Sequence, residues 1–235
     1  MVTVSVIIPA YQEADNLAIL LPKLTDVMKR SADRFEIIVA DSNPPLDNTR
    51  EICSRFSDVK YIQRQGGNLY GNAIRSGIQA VQYDLTVVMD ADGSHSPDEL
   101  PAMLKEAKKS DIVIASRYTK GGKTNNPLIL IAMSLFVNIV YRIFLNINVR
   151  DISNSFRIYH SEKLKSLSLN SNNFDIVEEI LIKLTNTYPG TVIRELPTYF
   201  DKRKYGNSKR NLIKFAISYA VSIYRLMKLK YNTGK

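Results

Sequence analysis

The chain has 235 residues, 45% hydrophobic and 23% charged, a composition typical of a single globular domain with a packed core. The net charge of +9 indicates a surface that attracts phosphate, whether from nucleic acid, a nucleotide or an anionic lipid. The single cysteine, Cys53, excludes an intramolecular disulfide, and its helical context indicates a small core residue rather than a nucleophile. Residues 1–10 lack the basic start of a signal peptide, so we expect a cytoplasmic protein.

Strand patterns alternate with helical patterns along the first half of the chain. Short apolar, β-branched runs predict five strands: Val4–Ile8, Phe35–Ala40, Lys60–Gln63, Leu85–Met89 and Asp111–Ser116. Apolar residues at helical spacing predict four helices: Glu13–Arg30, Asn48–Phe56, Gly71–Val81 and Pro97–Lys109. The alternation predicts βαβ units and a mainly parallel sheet flanked by helices, with ligands bound beyond the carboxyl ends of the strands.

The second half of the chain changes character. The long apolar stretch 127–147 carries an arginine and two asparagines, which favours a helix on the surface or in the core over a membrane span. A helix near 174–187 and the strand pattern TVIREL follow. The basic, amphipathic segment 211–235 predicts a last helix that lies in a membrane interface or packs on the protein. We expect one domain over 1–210, with 211–235 in the same unit.

Two carboxylates follow the fourth predicted strand. Asp90 and Asp92 come directly after the apolar run VVM, which places both on an exposed turn at the edge of the sheet. Two hard oxygen ligands at this spacing can hold one Mg²⁺ or Mn²⁺ that also contacts a diphosphate and neutralises its charge as it departs. The competing interpretation is a solvated turn whose aspartate caps the next helix.

Polar residues also follow the other predicted strands. After the first strand, Tyr11 could stack on a base and Glu13 could accept from ribose, or Glu13 could simply complement a helix N-terminus. After the second, Asp41 could bind a nucleotide or only form a turn. After the fifth, Arg117 begins a basic loop that could hold a phosphate or be solvated. His95 is interpreted as a solvated loop histidine, with metal contact as the alternative.

Seven segments occur in the order of a known family: VSVIIPAYQEADNL, EIIVADSNPPLDNT, VVMDADGSHSPDELP, DIVIASRYTKGG, RDISNSFRIY, DIVEEILIKL and ELPTYFDKRKYGNSK. Together they resemble the family 2 glycosyltransferases, and within them the dolichol- or polyprenyl-phosphate mannose synthase group. The resemblance implies a GT-A (Rossmann-like) fold. It also implies an inverting, metal-dependent transfer of a sugar, mannose from GDP-mannose in the first place, to a polyprenyl or dolichyl phosphate.

The resemblance also assigns roles to individual residues. Six positions match contacts of the nucleotide-sugar donor: Pro9, Tyr11, Glu13, Asp41, Arg203 and Lys209. Asp90 and Asp92 match the metal and diphosphate site, with Asp92 counted as catalytic. Arg117 matches a ligand of the acceptor phosphate, and Glu179 matches an acidic residue near the sugar.

The resemblance also implies partners, and two alternative functions stay open. The segments 127–147 and 211–230 match two interface helices, which implies work at the cytoplasmic face of a membrane, on the lipid surface or beside a membrane protein. An alternative is transfer to a hydroxyl in surface-polysaccharide assembly, with Asp151 or Glu179 as the base. A distant alternative is a non-catalytic basic module, although no nucleic-acid motif is present and we expect no nucleic-acid partner. The oligomeric state stays open.

Overall fold

Strands and helices alternate along the residues that the computed structural model describes, which are 1–145, 147–201 and 225. Its strands are β1 (Thr3–Pro9), β2 (Arg34–Asp41), β3 (Val59–Gln63), β4 (Leu85–Val88), β5 (Ile112–Ser116), β6 (Lys123–Thr124), β7 (Arg157–His160), β8 (Ile193–Pro197) and β9 (Tyr199–Phe200). Its α-helices are α1 (Ala14–Ser31), α2 (Thr49–Cys53), α3 (Tyr70–Ala80), α4 (Leu100–Ala107), α5 (Leu128–Leu145), α6 (Ser161–Lys165) and α7 (Ile176–Thr187). The five strands and four helices predicted for the first half are therefore confirmed, whereas the predicted helix from Asn211 lies almost wholly outside the described residues.

The central sheet has the strand order β3-β2-β1-β4-β7-β5-β8 in the described part of the chain. Neighbouring pairs among β1 to β4 are parallel, as is the pair of β5 and β8, whereas β7 runs antiparallel to both β4 and β5. Strand β7 was not predicted from the sequence, because it has four residues and begins with a charged one. Arg157 is nevertheless fully buried. Its burial is tolerated because its guanidinium donates hydrogen bonds to the carbonyl oxygens of Asn154 and Val177.

Both faces of the sheet are covered, which explains the continuous apolar runs of its strands. In β1, Val4, Val6 and Ile8 belong to one buried cluster with α1 and α4. Ile7 belongs to a second cluster with α3 and α7. A side chain at Gly77 of α3 would overlap Ile7, so the glycine permits the close approach of helix and strand. Cys53 is buried in the first cluster, as predicted, and burial raises the pKa of its thiol to about 12.

Helix α5 lies on the surface with one apolar face outward. Leu128, Phe136 and Ile143 are 84%, 67% and 70% exposed, whereas Tyr141 and Asn138 on the other side are buried. The amide oxygen of Asn138 accepts from the Ile152 N–H at 3.0 Å, which attaches the helix to the domain. Of the two positions expected for this helix, on the surface or in the core, the structure shows the surface. Across the described ranges, no helix combines the length and the hydropathy needed to cross a bilayer.

Candidate active site

Predicted site residues that end or follow four strands lie at one edge of the sheet. Strands β1, β2, β4 and β5 point in the same direction, so their carboxyl ends lie on the same side. Pro9 and Asp41 end β1 and β2, Asp90 follows β4, and Arg117 follows β5. This is the edge at which open α/β sheets bind ligands. Two predicted donor contacts, Arg203 and Lys209, lie outside the described residues and stay predictions.

Asp90 is held from two sides by hydroxyl groups. Tyr70 donates to its Oδ1 and Ser155 donates to its Oδ2, both at 3.1 Å. Tyr70 also stacks on Phe174, with ring centroids 4.4 Å apart. Burial, followed by the charge of Asp90, raises the pKa of the Tyr70 hydroxyl well above its usual range, so the hydroxyl stays protonated and donates. The Asp90 carboxylate is therefore oriented before any ligand binds.

Asp92 is fixed within its own turn, and the chain that leads to the basic segment is attached to the same turn. Ser94 donates to Asp92 Oδ1 through its N–H at 3.1 Å and its hydroxyl at 2.6 Å. The Asp201 N–H in turn donates to the Ser94 carbonyl oxygen at 3.1 Å. A cavity of about 220 Å³ opens between this turn and α1.

The carboxylate ligands at this edge fit a divalent metal that is shared with a substrate. Asp90 and Asp92 supply carboxylate oxygens, the ligands that Mg²⁺ and Mn²⁺ prefer. Within the described ranges, no group of three or more His, Cys, Asp or Glu side chains could hold a metal by itself. Mg²⁺ commonly binds one or two protein carboxylates and completes its shell with substrate phosphates and water. Two carboxylates are thus sufficient if a diphosphate is present.

Asp41 lies fully buried at the end of β2. Burial raises the pKa of its carboxyl, and hydrogen bonds from the Ser42 N–H and the Tyr61 hydroxyl counteract this rise only in part. Arg64, which directly follows β3, donates to the carbonyl oxygens of Ala10, Ala40 and Asp41. These hydrogen bonds join the carboxyl ends of β1, β2 and β3. This edge of the sheet is therefore built around the buried carboxyl of Asp41 and the buried guanidinium of Arg64.

The loop after β1 presents one exposed and one enclosed side chain. Tyr11 is 39% exposed, as a residue that stacks on a base must be. Glu13 is buried and accepts from the Asn16 amide at 2.6 Å. Between them Gln12 has a φ of 58°, in the left-handed region that non-glycine residues rarely adopt. Such a conformation at a ligand-binding edge is typical of functional loops.

Arg117 is paired with Asp151 in a buried, bidentate contact. Its Nε and Nη2 atoms donate to the two carboxylate oxygens at 2.8 and 2.7 Å, and the two side chains are 8% and 0% exposed. The same Nη2 donates to the hydroxyls of Ser153 at 3.0 Å and Ser134 of α5 at 3.3 Å. Because Asp151 is buried and bound to Arg117, the geometry disfavours it as a general base.

Glu179 contacts the site only through the loop 170–172. It is buried, accepts from backbone N–H groups of the loop 170–172 and pairs with Lys183 at 2.7 Å. Burial raises the pKa of Glu179, but these partners outweigh it and hold the pKa below its usual range. The same loop accepts from the Gly71 N–H at 2.7 Å, beside Tyr70. Glu179 therefore supports the loop behind Asp90, and its engaged carboxylate is poorly placed to act as a base.

The structure corrects the interpretation of His95 and adds residues that the sequence analysis missed. His95 is buried rather than solvated, and it binds the backbone of Asp90. Tyr70, Ser155 and Arg64 also contact the site. Arg64 could have been found, because it directly follows a predicted parallel strand. No pattern marks Tyr70 or Ser155, since both reach Asp90 through folding of distant segments.

Comparisons with known proteins give a consistent result. The family model described as "Glycosyl transferase family 2" matches residues 5–168. A dolichol-phosphate mannosyltransferase of Pyrococcus furiosus is 36% identical over 233 residues, covering 96% of this chain and 64% of that relative. An undecaprenyl-phosphate mannosyltransferase of Micrococcus luteus is 31% identical over 218 residues, covering 86% of this chain and 85% of that relative. The chain thus spans slightly under two thirds of the first relative's length and most of the second's.

Solved structures agree on the fold. A glucosyl-3-phosphoglycerate synthase from Mycobacterium tuberculosis, solved with Mn²⁺, UDP and phosphoglyceric acid, has a TM-score of 0.74 and 16% identity, covering 99% of this chain and 79% of that one. The same enzyme with Mg²⁺ and UDP has a TM-score of 0.70 and 15% identity, covering 97% and 79%. The likeness shows the expected GT-A fold.

Proposed function

The chain belongs to glycosyl transferase family 2, and from that membership we propose that it moves mannose from GDP-mannose to a polyprenyl or dolichyl phosphate. The two relatives reported above are named for transfer of mannose to dolichol phosphate and to undecaprenyl phosphate. The choice of GDP follows from the resemblance to the mannose synthase group. We place the reaction at the cytoplasmic face of a membrane.

One observation supports a lipid-phosphate acceptor above all others. Arg117 Nη2 lies 3.3 Å from Ser134 Oγ, which joins the polar edge of the sheet to α5. The outer face of that helix is apolar and exposed from Leu128 to Ile143. A guanidinium that can bind phosphate next to a helix that can enter the lipid interface suits an acceptor with an anionic head and an apolar chain.

The proposed chemistry asks for positioning rather than for a strong base. A phosphate oxygen of the acceptor attacks the anomeric carbon, the bond from that carbon to the diphosphate oxygen breaks, and the configuration inverts. The acceptor is already anionic, so Arg117 only has to orient it. Asp90 and Asp92 would hold Mg²⁺ or Mn²⁺, which supplies neutralisation of the leaving diphosphate. Arg203 and Lys209 would contact that diphosphate, while Tyr11, Glu13 and Asp41 would hold the nucleoside.

Two experiments test this proposal. Calorimetry with GDP, UDP and their sugars, each with and without Mn²⁺, should show binding of GDP-mannose that requires the metal. Preference for a UDP-sugar would refute GDP-mannose as the donor. Absence of binding by any nucleotide would refute the proposed transfer from a nucleotide-sugar.

In a transfer assay with polyprenyl phosphate in vesicles, Asp92→Ala should lose at least about a hundredfold in rate, or about 2.7 kcal/mol. Asp98→Ala, which removes an exposed carboxylate six residues away, should retain full activity.

A further inference from the structure

His95 occupies an enclosed position directly behind the Asp90 turn. Its ring is 1% exposed and stacks on Phe156, with centroids 4.9 Å apart and planes 19° from parallel. Phe200 closes another side, edge-on at 5.4 Å. An imidazole in such surroundings has to find hydrogen-bond partners within the protein, because an unpaired buried polar atom is costly.

The partners of His95 determine which ring nitrogen carries the proton. The Asp90 backbone nitrogen lies 3.0 Å from Nδ1. Because a backbone N–H can only donate, Nδ1 accepts this hydrogen bond and carries no proton. The neutral ring then carries its proton on Nε2, which lies 3.1 Å from the Asn154 Oδ1 atom. Asn154 in turn donates from Nδ2 to the Ala115 carbonyl oxygen at 2.6 Å, and a carbonyl can only accept. Backbone groups at both ends of this chain of hydrogen bonds therefore fix its direction.

The same chain joins three segments of the site. It runs from the end of β4, through the loop before β7, to the end of β5. The residue after Asn154 is Ser155, whose hydroxyl donates to the Asp90 carboxylate. The backbone and the side chain of Asp90 are thus held by neighbouring groups of one loop.

We propose that His95 is a positioning residue, which as the neutral Nε2–H tautomer fixes the backbone of Asp90 and with it the placement of the Asp90 carboxylate. The part of this inference that concerns metal use rests on the proposed function. The tautomer and the hydrogen-bond chain rest on the geometry alone. Removal of a group that orients a metal ligand typically costs about ten- to a hundredfold in metal affinity or activity.

Two variants of His95 separate this role from simple filling of space. In His95→Asn, the amide oxygen can take the place of Nδ1 and accept from Asp90. In His95→Gln, the amide nitrogen can take the place of Nε2, and the acceptor for Asp90 is lost. We expect His95→Gln to raise the Mn²⁺ concentration for half-maximal transfer about ten- to a hundredfold, and His95→Asn to stay near the wild-type value. Equal Mn²⁺ requirements in two variants of similar metal-free melting temperature would overturn the proposal.

A measurement on the unaltered protein keeps the test independent of folding and activity. The chain has two histidines, so a long-range ¹H–¹⁵N spectrum shows two rings, and His160→Gln identifies the one that belongs to His95. We expect no proton on Nδ1 of His95 and a slowly exchanging proton on its Nε2. A proton on Nδ1, or rapid exchange between tautomers, would refute the hydrogen-bond chain. If instead the wild-type protein shows the expected tautomer but no Mn²⁺-dependent donor binding, the proposed function fails and the chain of hydrogen bonds stands.

Discussion

Asp41 carries a stability cost at the edge where ligands bind. Folding buries its carboxyl and raises its pKa, so the native state holds the proton more tightly than the unfolded chain does. Stability from this group is fully present below about pH 4, where the carboxyl is protonated in both states. It is lost as the pH rises through the raised pKa, since ionised Asp41 is then buried. A residue retained at such a cost suits a binding role.

Asp41→Asn should therefore separate stability from function. At pH 7 we expect a melting temperature about 2 to 4 °C higher, the shift that corresponds to about 1 kcal/mol in a domain of this size. The gain should vanish below about pH 4, and GDP-mannose should bind about tenfold more weakly, or 1.4 kcal/mol. Asp26→Asn, which neutralises an exposed carboxylate paired with Arg30, serves as the control. A lower melting temperature at pH 7 would contradict this account of Asp41.

The junction of β5, α5 and the loop before β7 depends on the pair of Arg117 and Asp151. Arg117→Ala leaves a buried carboxylate without its cation, so thermal and urea unfolding should show a loss of about 3 to 5 kcal/mol. The double variant Arg117→Met, Asp151→Leu removes both charges and should recover most of that loss. Neither variant should transfer sugar if Arg117 binds the acceptor. Activity in the double variant would show that the pair serves stability alone.

The outer face of α5 is the element that should meet the membrane. Phe136→Ser and Ile139→Ser remove apolar surface that is already exposed, so the melting temperature should hardly change. Each substitution should weaken binding to anionic vesicles about tenfold in cosedimentation, because an apolar side chain of this size is worth about 1.5 to 3 kcal/mol when it leaves water. Val192→Ser, an exposed apolar residue before β8, should have no effect. Unchanged vesicle binding in the α5 variants would exclude this face.

At the scale of the whole molecule, metal and donor should stabilise the fold only together. In the proposed site a diphosphate would complete the metal shell beside the two carboxylates, so each ligand should strengthen the binding of the other. With GDP and Mn²⁺ both at about a hundred times their dissociation constants, linkage gives about 2.7 kcal/mol and a rise in melting temperature of about 5 to 10 °C. Thermal melts with either ligand alone should show little change. An equal rise with Mn²⁺ alone would point to a metal site that is independent of the nucleotide.

Local patterns in the sequence were enough to predict the parallel half of the sheet and the edge at which the site lies. They placed Asp41, Asp90 and Arg117 at that edge because each follows a predicted apolar strand. They failed at β7, where a buried arginine interrupts the apolar pattern, and at His95, whose burial depends on aromatic residues far along the chain. The pair of Arg117 and Asp151 was also missed, since nothing in sequence spacing connects the two.

The insertion of β7 between β4 and β5 has a consequence for the order in which the chain can assemble. On the ribosome, the strands β1 to β5 are synthesised before Arg157, yet β4 and β5 have no common partner until β7 appears between them. At about 5 to 20 residues per second, the edges of β4 and β5 that later pair with β7 stay open for several seconds. The same delay applies to Ser155, so the turn at Asp90 acquires its full set of contacts only after the two halves of the sheet have been joined.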